Sequence, residues 1–262
     1  MLTPPEYRLI NGREFDAVPA CLYRARSNAH ARQLASHDWL LRGKQDGSYH
    51  GVFGGGTLRA FRRLASARLY DLALSDIAEA DSQTGRTRPL ADVESLLKEL
   101  EIDPEHYALI HQLPMIAEPT VLEYAGKDRY RRPLWLHFSA KAAWLRMQAA
   151  ARRDDVQLEA ISGYRSHQYQ LGIFRRKLSR GQTVDEILSV NAAPGFSEHH
   201  SGRALDISAQ GEPAAEISFQ DCPAFEWLQR FASEFGFRMS FPQDNPHGIS
   251  YEPWHWYHIG ND

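Results

Sequence analysis

Cysteine is nearly absent: Cys21 and Cys222 are the only two in 262 residues, and neither sits in a C-x-x-C pair. That excludes a small disulfide-stapled scaffold and offers no thiolate metal motif. Both read as buried thiols acting as small apolar residues, although an oxidising compartment would let them pair. No apolar run approaches the ~18 residues of a membrane-crossing helix. The first residues, "MLTPPEYRLINGREFDAVPA", lack the basic start and apolar core of a secretory signal. The chain is therefore expected in the cytoplasm, or in the cell envelope or periplasm if a signal was trimmed or export takes another route. Excess charge of either sign is also missing. Thirty Lys and Arg stand against 33 Asp and Glu, a net charge of −3, which leaves no electrostatic footprint for nucleic acid or an anionic membrane. There is no internal repeat. The glycine-rich "GVFGGGT" (51–57) is not followed by the GK[ST] of a phosphate-binding loop and reads as a turn or a close backbone approach.

What is present is a soluble globular composition, 43% hydrophobic and 24% charged. It supplies enough core that folding needs neither disulfide nor metal. The length suits one large domain, or a medium domain with an appendage. The chain divides near residue 130. Residues 1–130 carry helical spacing at 64–80 and 89–102, with the polar loop "DSQTGRTRP" between, and read as a mostly helical extension of unknown role. In residues 131–262, "SAKAAWLRMQAAARRDD" (139–155) predicts a helix with Ser139 as its N-cap. "VQLEAISGYRS" (156–166) predicts a strand and "HQYQLGIFRRKLSRG" (167–181) a helix ending at glycine. "RALDISA" (203–209) alternates, placing Ala204, Asp206 and Ser208 on one face and Leu205 and Ile207 on the core face. A helix over 223–237 and an aromatic strand over 248–260 follow, with Pro253 confining part of the latter to an edge or bulge. Strands and helices mix without repeated strand–helix units. The expected class is α+β, with a small, mainly antiparallel sheet flanked by helices.

The chemistry concentrates in "PGFSEHHSGRALDIS" (194–208), where a glutamate, two adjacent histidines and an aspartate fall within nine residues. A zinc hydrolase takes three ligands from His, Asp or Glu and keeps a position open for water. One of the two histidines, Asp206, and a histidine of the C-terminal "EPWHWYH" supply such a set. Glu252, three residues before His255, can lie beside a metal without binding it and act as its proton carrier. Arg165, at the end of "ISGYR", can hold an anionic oxygen. Each residue alone is a weak signal. Three separate clusters in the order Arg, His/Asp, Glu/His are stronger.

"SGYRSHQYQ" (162–170), "PGFSEHHSGRALDI" (194–207) and "YEPWHWYHIG" (251–260) resemble the three motifs of the VanY-like zinc D-alanyl-D-alanine carboxypeptidases. That family takes in L,D-carboxypeptidases and the vancomycin-resistance D,D-dipeptidases. The resemblance covers about residues 139–260 and implies a hedgehog- or D,D-peptidase-like fold. It implies one Zn²⁺ held by His199, Asp206 and His255, because His199 is the histidine three residues before Gly202 and seven before Asp206. His200 then falls on a variable position and is expected to line the cleft or face solvent. By the same resemblance Glu252 is the catalytic base and Arg165 stabilises the polarised carbonyl. Ser197, with Tyr164, Ser162 and Gln170 of the first motif, contacts substrate, and Glu198 lies behind a ligand or on the surface. The chain departs from the family where "WYH" replaces an arginine after "WH". His258 there is expected as a partner behind a ligand, then as a cleft residue, then as a competing ligand. It departs again at Arg203, which is expected to point away from the metal.

The implied reaction is zinc-assisted hydrolysis of the bond before a C-terminal D-amino acid in a peptidoglycan stem peptide or muropeptide. Two alternatives stand beside it. One is a catalytically inactive hedgehog-like zinc-binding module. The other is a cell-wall endopeptidase or toxin whose N-terminal region serves delivery. D,D against L,D specificity, exo- against endopeptidase action and oligomeric state stay open.

Overall fold

A computed structural model describes residues 7–25, 27–54, 57–61 and 67–260. Within it the chain forms two compact units, Met1–Arg88 with Pro119–Tyr124 and Pro89–Glu118 with Ala125–Asp262. No helix among the described residues is long and apolar enough to cross a membrane.

The first unit is built on strands. β1 (Arg8–Asn11), β2 (Phe15–Pro19), α1 (Asn28–Ala35), β3 (Trp39–Gly43), β4 (Tyr49–Gly54), β5 (Thr57–Ala60) and α2 (Ala67–Ser82) follow in order, and β6 (Val121–Lys127) enters this unit with its first residues. The sheet runs β5-β4-β3-β2-β1-β6, antiparallel throughout. α2 lays Tyr70, Ala73, Ile77 and Ala80, spaced as one helical face, on Ile10, Phe15, Ala17 and Leu41 of the strands. The expected helix over 64–80 is this one, and its first residues, 64–66, lie outside the described residues. The expectation of a mostly helical N-terminal region missed β1–β5. In β2 both faces are buried, which leaves no polar face to reveal the period. Residues 51–57 belong to the β4–β5 hairpin, where Gly54 faces Thr57; residues 55–56 lie outside the described residues.

The second unit holds α3 (Ala91–Glu99), α4 (Pro104–His111), β7 (Pro133–Leu136), α5 (Phe138–Arg153), β8 (Leu158–Ser162), α6 (His167–Leu178), α7 (Val184–Leu188), β9 (Ala204–Ala209), α8 (Pro223–Phe231), β10 (Phe237–Met239) and β11 (His255–His258). Residues 89–118, which the sequence grouped with the N-terminal region, pack here. Val93, Leu97, Tyr107 and Leu113 form one cluster with Ala193, Phe196 and Phe241. The four-stranded sheet has the order β10-β11-β9-β8 and is antiparallel, as the α+β class required. Its core face carries Leu205 and Ile207 of β9 against Ala143, Trp144 and Met147 of α5 and Phe225 and Leu228 of α8.

Several local expectations need correction. Helix α5 begins at Phe138 with His137 at its N-cap, two residues before the expected cap Ser139; the Ser139 hydroxyl instead meets His137 Nδ1 at 2.8 Å. The final strand is only His255–His258 and lies inside the sheet between β10 and β9, so Pro253 precedes it rather than marking an edge. Cys222 is buried in the core, but Cys21 is exposed, and both are free thiols.

Candidate metal centre

Three strands bring the site together by register. On β9, Asp206 stands opposite His255 of β11 and opposite Ser162 of β8. The pairing with β8 shifts between Ala160 and Ser162, and such a bulge re-aims the strand end beside a site. The chain after Ser162 then passes close to β7. A Cβ on Gly163 would come within 2.9 Å of the Trp135 carbonyl, so only glycine allows this approach. His199 arrives from a short 3₁₀ turn, Glu198–Ser201, that ends at Gly202 in the left-handed region with φ 68°. The turn reverses the chain into β9 and sets His199 beside Asp206.

The resulting polar cluster is buried. His199, Asp206 and His255 are 2%, 5% and 2% exposed, and one ligand atom from each lies within 4.8 Å of the others. Asp206 Oδ1 is 3.2 Å from His199 Nε2 and 3.3 Å from His255 Nδ1. Two donors at ~2.0–2.1 Å from one tetrahedral zinc are separated by about 3.3 Å, so these spacings match a shared ion. The outer ring nitrogens are tied down. His199 Nδ1 donates to the Gly163 carbonyl at 2.7 Å, and His255 Nε2 faces Glu198 Oε2 at 2.8 Å. Such outer partners fix tautomer and ring orientation. Arg165 Nη2 lies 2.9 Å from His199 Nε2 and donates to Asp206 Oδ2. A guanidinium only donates, so His199 Nε2 carries its lone pair toward the common point. The donor set of two imidazoles and one carboxylate fits zinc.

Electrostatics follow from this crowding. Burial and the Arg165 guanidinium hold His199 down to about 4, so it stays neutral and ready to coordinate. Burial opposes a charge on His255, but the hydrogen bonds with Asp206 and Glu198 outweigh it and push the ring up to about 10. A metal at this position must displace that proton. Asp206 is held well below the usual carboxylate range against its burial, by His199 and Arg165. Glu252 behaves oppositely. Burial raises its carboxyl to about 7, against the pull of His255, and its Oε2 lies 3.8 Å from His255 Nδ1.

These groups line a cleft of about 340 Å³ whose walls include Arg165, Ser197, Glu252 and Gln170. Gln170 is 1% exposed and donates through Nε2 to the Ala192 carbonyl. Ser162 and Tyr164 are placed differently from the other expected substrate contacts. Ser162 Oγ accepts from Arg165 Nε at 3.0 Å, the Tyr164 hydroxyl donates to Glu118 Oε2 at 2.8 Å, and neither is among the residues lining this cleft. Glu198, which the sequence left between a supporting and a surface position, is buried behind His255.

His200 corrects an expectation. It neither lines the cleft nor faces solvent, being 0% exposed. Its Nδ1 donates to the Arg165 carbonyl at 2.7 Å, and its Nε2 accepts from Gly195 N at 3.1 Å. Burial, and then the neighbouring His167, hold it well below the ordinary histidine value. It is a neutral clamp between two of the motif loops. His258 is neither a competing ligand nor a cleft residue. It is buried against the Phe237 ring at 5.2 Å, outside both the metal cluster and the cleft wall. The backbone explains this, since His255 and His258 lie three apart on one strand and point to opposite faces. Arg203 turns away as expected, donating to the Gly260 carbonyl at 2.7 Å.

The profile of the family described as VanY, D-alanyl-D-alanine carboxypeptidase, matches residues 133–261. Among curated proteins, the D-alanyl-D-alanine carboxypeptidase of Enterococcus faecalis is 34% identical over 121 residues, 42% of this chain and 43% of that protein. The Bacillus subtilis protein YodJ is 31% identical over 160 residues, 57% of each. The chain thus spans about half the length of these relatives. Among solved structures, that of the LdcB LD-carboxypeptidase aligns with a TM-score of 0.48 at 28% identity, covering 52% of this chain and 65% of that one.

Proposed function

Residues 133–261 belong to the VanY family of D-alanyl-D-alanine carboxypeptidases, and from that premise we propose that this chain is a zinc carboxypeptidase. Its substrate is a peptidoglycan stem peptide, from which it removes a C-terminal D-amino acid, and its place of action is the cell envelope. The observation that carries the reading is Glu252. A buried carboxyl raised to about 7 stands 3.8 Å from the inward ring nitrogen of His255, where it can take a proton and give it back near neutral pH.

Zinc held by His199, Asp206 and His255 would polarise the scissile carbonyl and acidify the attacking water. Glu252 accepts the proton of that water during attack and delivers it to the departing amine. Arg165 brings a fixed positive charge to the same wall, where the oxyanion develops, its Nε anchored on Ser162 Oγ. One such donor is worth ~10²–10³ in rate. Glu198 holds His255 from behind. Ser197 and Gln170, both on the cleft wall, are the contacts proposed for the peptide.

Mass spectrometry of purified muropeptides of defined stem length, incubated with the zinc-loaded protein, tests this. The expected product is the parent peptide shortened by one C-terminal D-residue. Whether pentapeptide or tetrapeptide is trimmed decides between D,D and L,D action. Cleavage inside a cross-link would make it an endopeptidase. Stoichiometric zinc without cleavage of any muropeptide would overturn the reading in favour of a binding module.

A further inference from the structure

A buried carboxylate upstream of the three motifs touches the loop that carries Arg165. Glu118, 3% exposed, has one oxygen for each side of that loop. Its Oε2 accepts from the Tyr164 hydroxyl at 2.8 Å, and its Oε1 accepts from the backbone N–H of His167 at 2.6 Å, with His167 Nδ1 at 3.3 Å. The two donors lie one residue before Arg165 and two after it. The same segment also grips the loop that carries His199. Ile116 N donates to the Gly195 carbonyl at 2.7 Å, and the Ile116 carbonyl receives His167 Nε2 at 2.8 Å. Among the described residues, the backbone of Arg165 is held by the neighbouring loop, its N–H on the His199 carbonyl at 3.2 Å and its carbonyl on His200.

We propose that Glu118 is the positioning residue for Arg165, bridging Tyr164 and His167 so that the guanidinium projects to the wall occupied by Asp206. A carboxylate serving only the start of α6 would need the His167 N–H alone. The second oxygen is spent on a side chain at the other flank of Arg165, and a two-point bridge of this kind fixes the direction of the intervening residue. Hydrogen bonds to a charged acceptor are short and strong, and burial keeps water from replacing them. Glu118 touches neither the cleft nor the metal cluster, so its effect passes through Arg165. The kinetic consequence rests on the carboxypeptidase reading above, whereas the positional one does not.

The test uses Glu118→Gln and Glu118→Ala in the full chain, each also combined with Arg165→Ala. Zinc content should stay at parent level. In Glu118→Gln, kcat should fall roughly tenfold with KM little changed, because an oxyanion contact acts in the transition state. In the Arg165→Ala background the same substitution should add nothing. An unchanged kcat, or an equal fall in both backgrounds, would overturn the proposal. Glu118→Asp should restore part of the rate. Crystal structures of the parent and of Glu118→Gln give a second readout, the contact between Arg165 and Asp206. If the parent turns over no muropeptide, the functional reading fails and this readout alone decides. A guanidinium that keeps its place in the variant would refute the bridge. Glu118→Gln, which keeps volume and one acceptor, serves if Glu118→Ala does not fold.

Discussion

Both units bury charge, but they do it differently. In the first, Asp16 is 1% exposed and meets Arg42 Nη2 at 2.6 Å, while Asp76 meets Arg88 at 3.3 Å. Each of these acids pairs with a base, and Arg42 adds the Tyr23 hydroxyl at 3.1 Å. In the second, Glu198, Asp206 and Glu252 crowd two imidazoles and one guanidinium. A paired buried charge neutralises itself and specifies a fold. Acceptors converging on one point, with one carboxyl pushed up and one imidazole pushed down, store unfavourable electrostatics that a bound cation would relieve. That is the signature of a site.

The sharpest way to break this contrast is to remove the convergence. His199→Ala combined with Asp206→Ala should abolish stoichiometric zinc and all turnover while the unit still folds on its own core. Metal analysis beside circular dichroism reads both, and retained zinc would mean the cluster is not the metal centre. Next, Glu252→Ala should keep zinc and fold but lose 10²–10⁴-fold in kcat, which separates base from ligand. Near-parent rates on muropeptides would defeat its role. His200→Ala should keep zinc yet cost about 2–4 kcal/mol by thermal unfolding, since it leaves a cavity and two unpaired backbone groups. A stability change within error would show that the clamp is idle. The smallest effect belongs to the first unit. Asp16→Ala should cost about 2 kcal/mol, because Arg42 can still reach water, and should leave zinc content untouched. Loss of zinc in that variant would mean that the Asp16–Arg42 pair also supports the metal centre.

Much of the site could be read from the chain because its residues are close in sequence or set by a strand period. Asp206 and its core-facing neighbours Leu205 and Ile207 follow from alternation alone, whereas the choice of His199 over His200 rested on the family resemblance. The misplaced residues share a different cause. His200 had no local signal separating a clamp from a cleft wall, since its partners are the backbone of Arg165 and Gly195. Tyr164 and Ser162 sit in a substrate-like motif, but their hydroxyls are engaged by Glu118 and Arg165. Glu118 lies in a stretch with no chemical motif and could not be singled out.

By itself, the sequence determined the side-chain chemistry: which groups can ligate, which can carry a proton, and which strand face holds them. Period-2 alternation and short spacings are local, so they survive without a fold. Only the tertiary structure decided which free oxygens and nitrogens face one another. The bulge at Ala160/Ser162, the approach of Gly163 to β7, the packing of residues 89–118 beside the motif loops and the Glu118 bridge all depend on chain segments far apart in sequence. Burial, which moves Glu252 up and His199 down, exists only once those segments have closed water out.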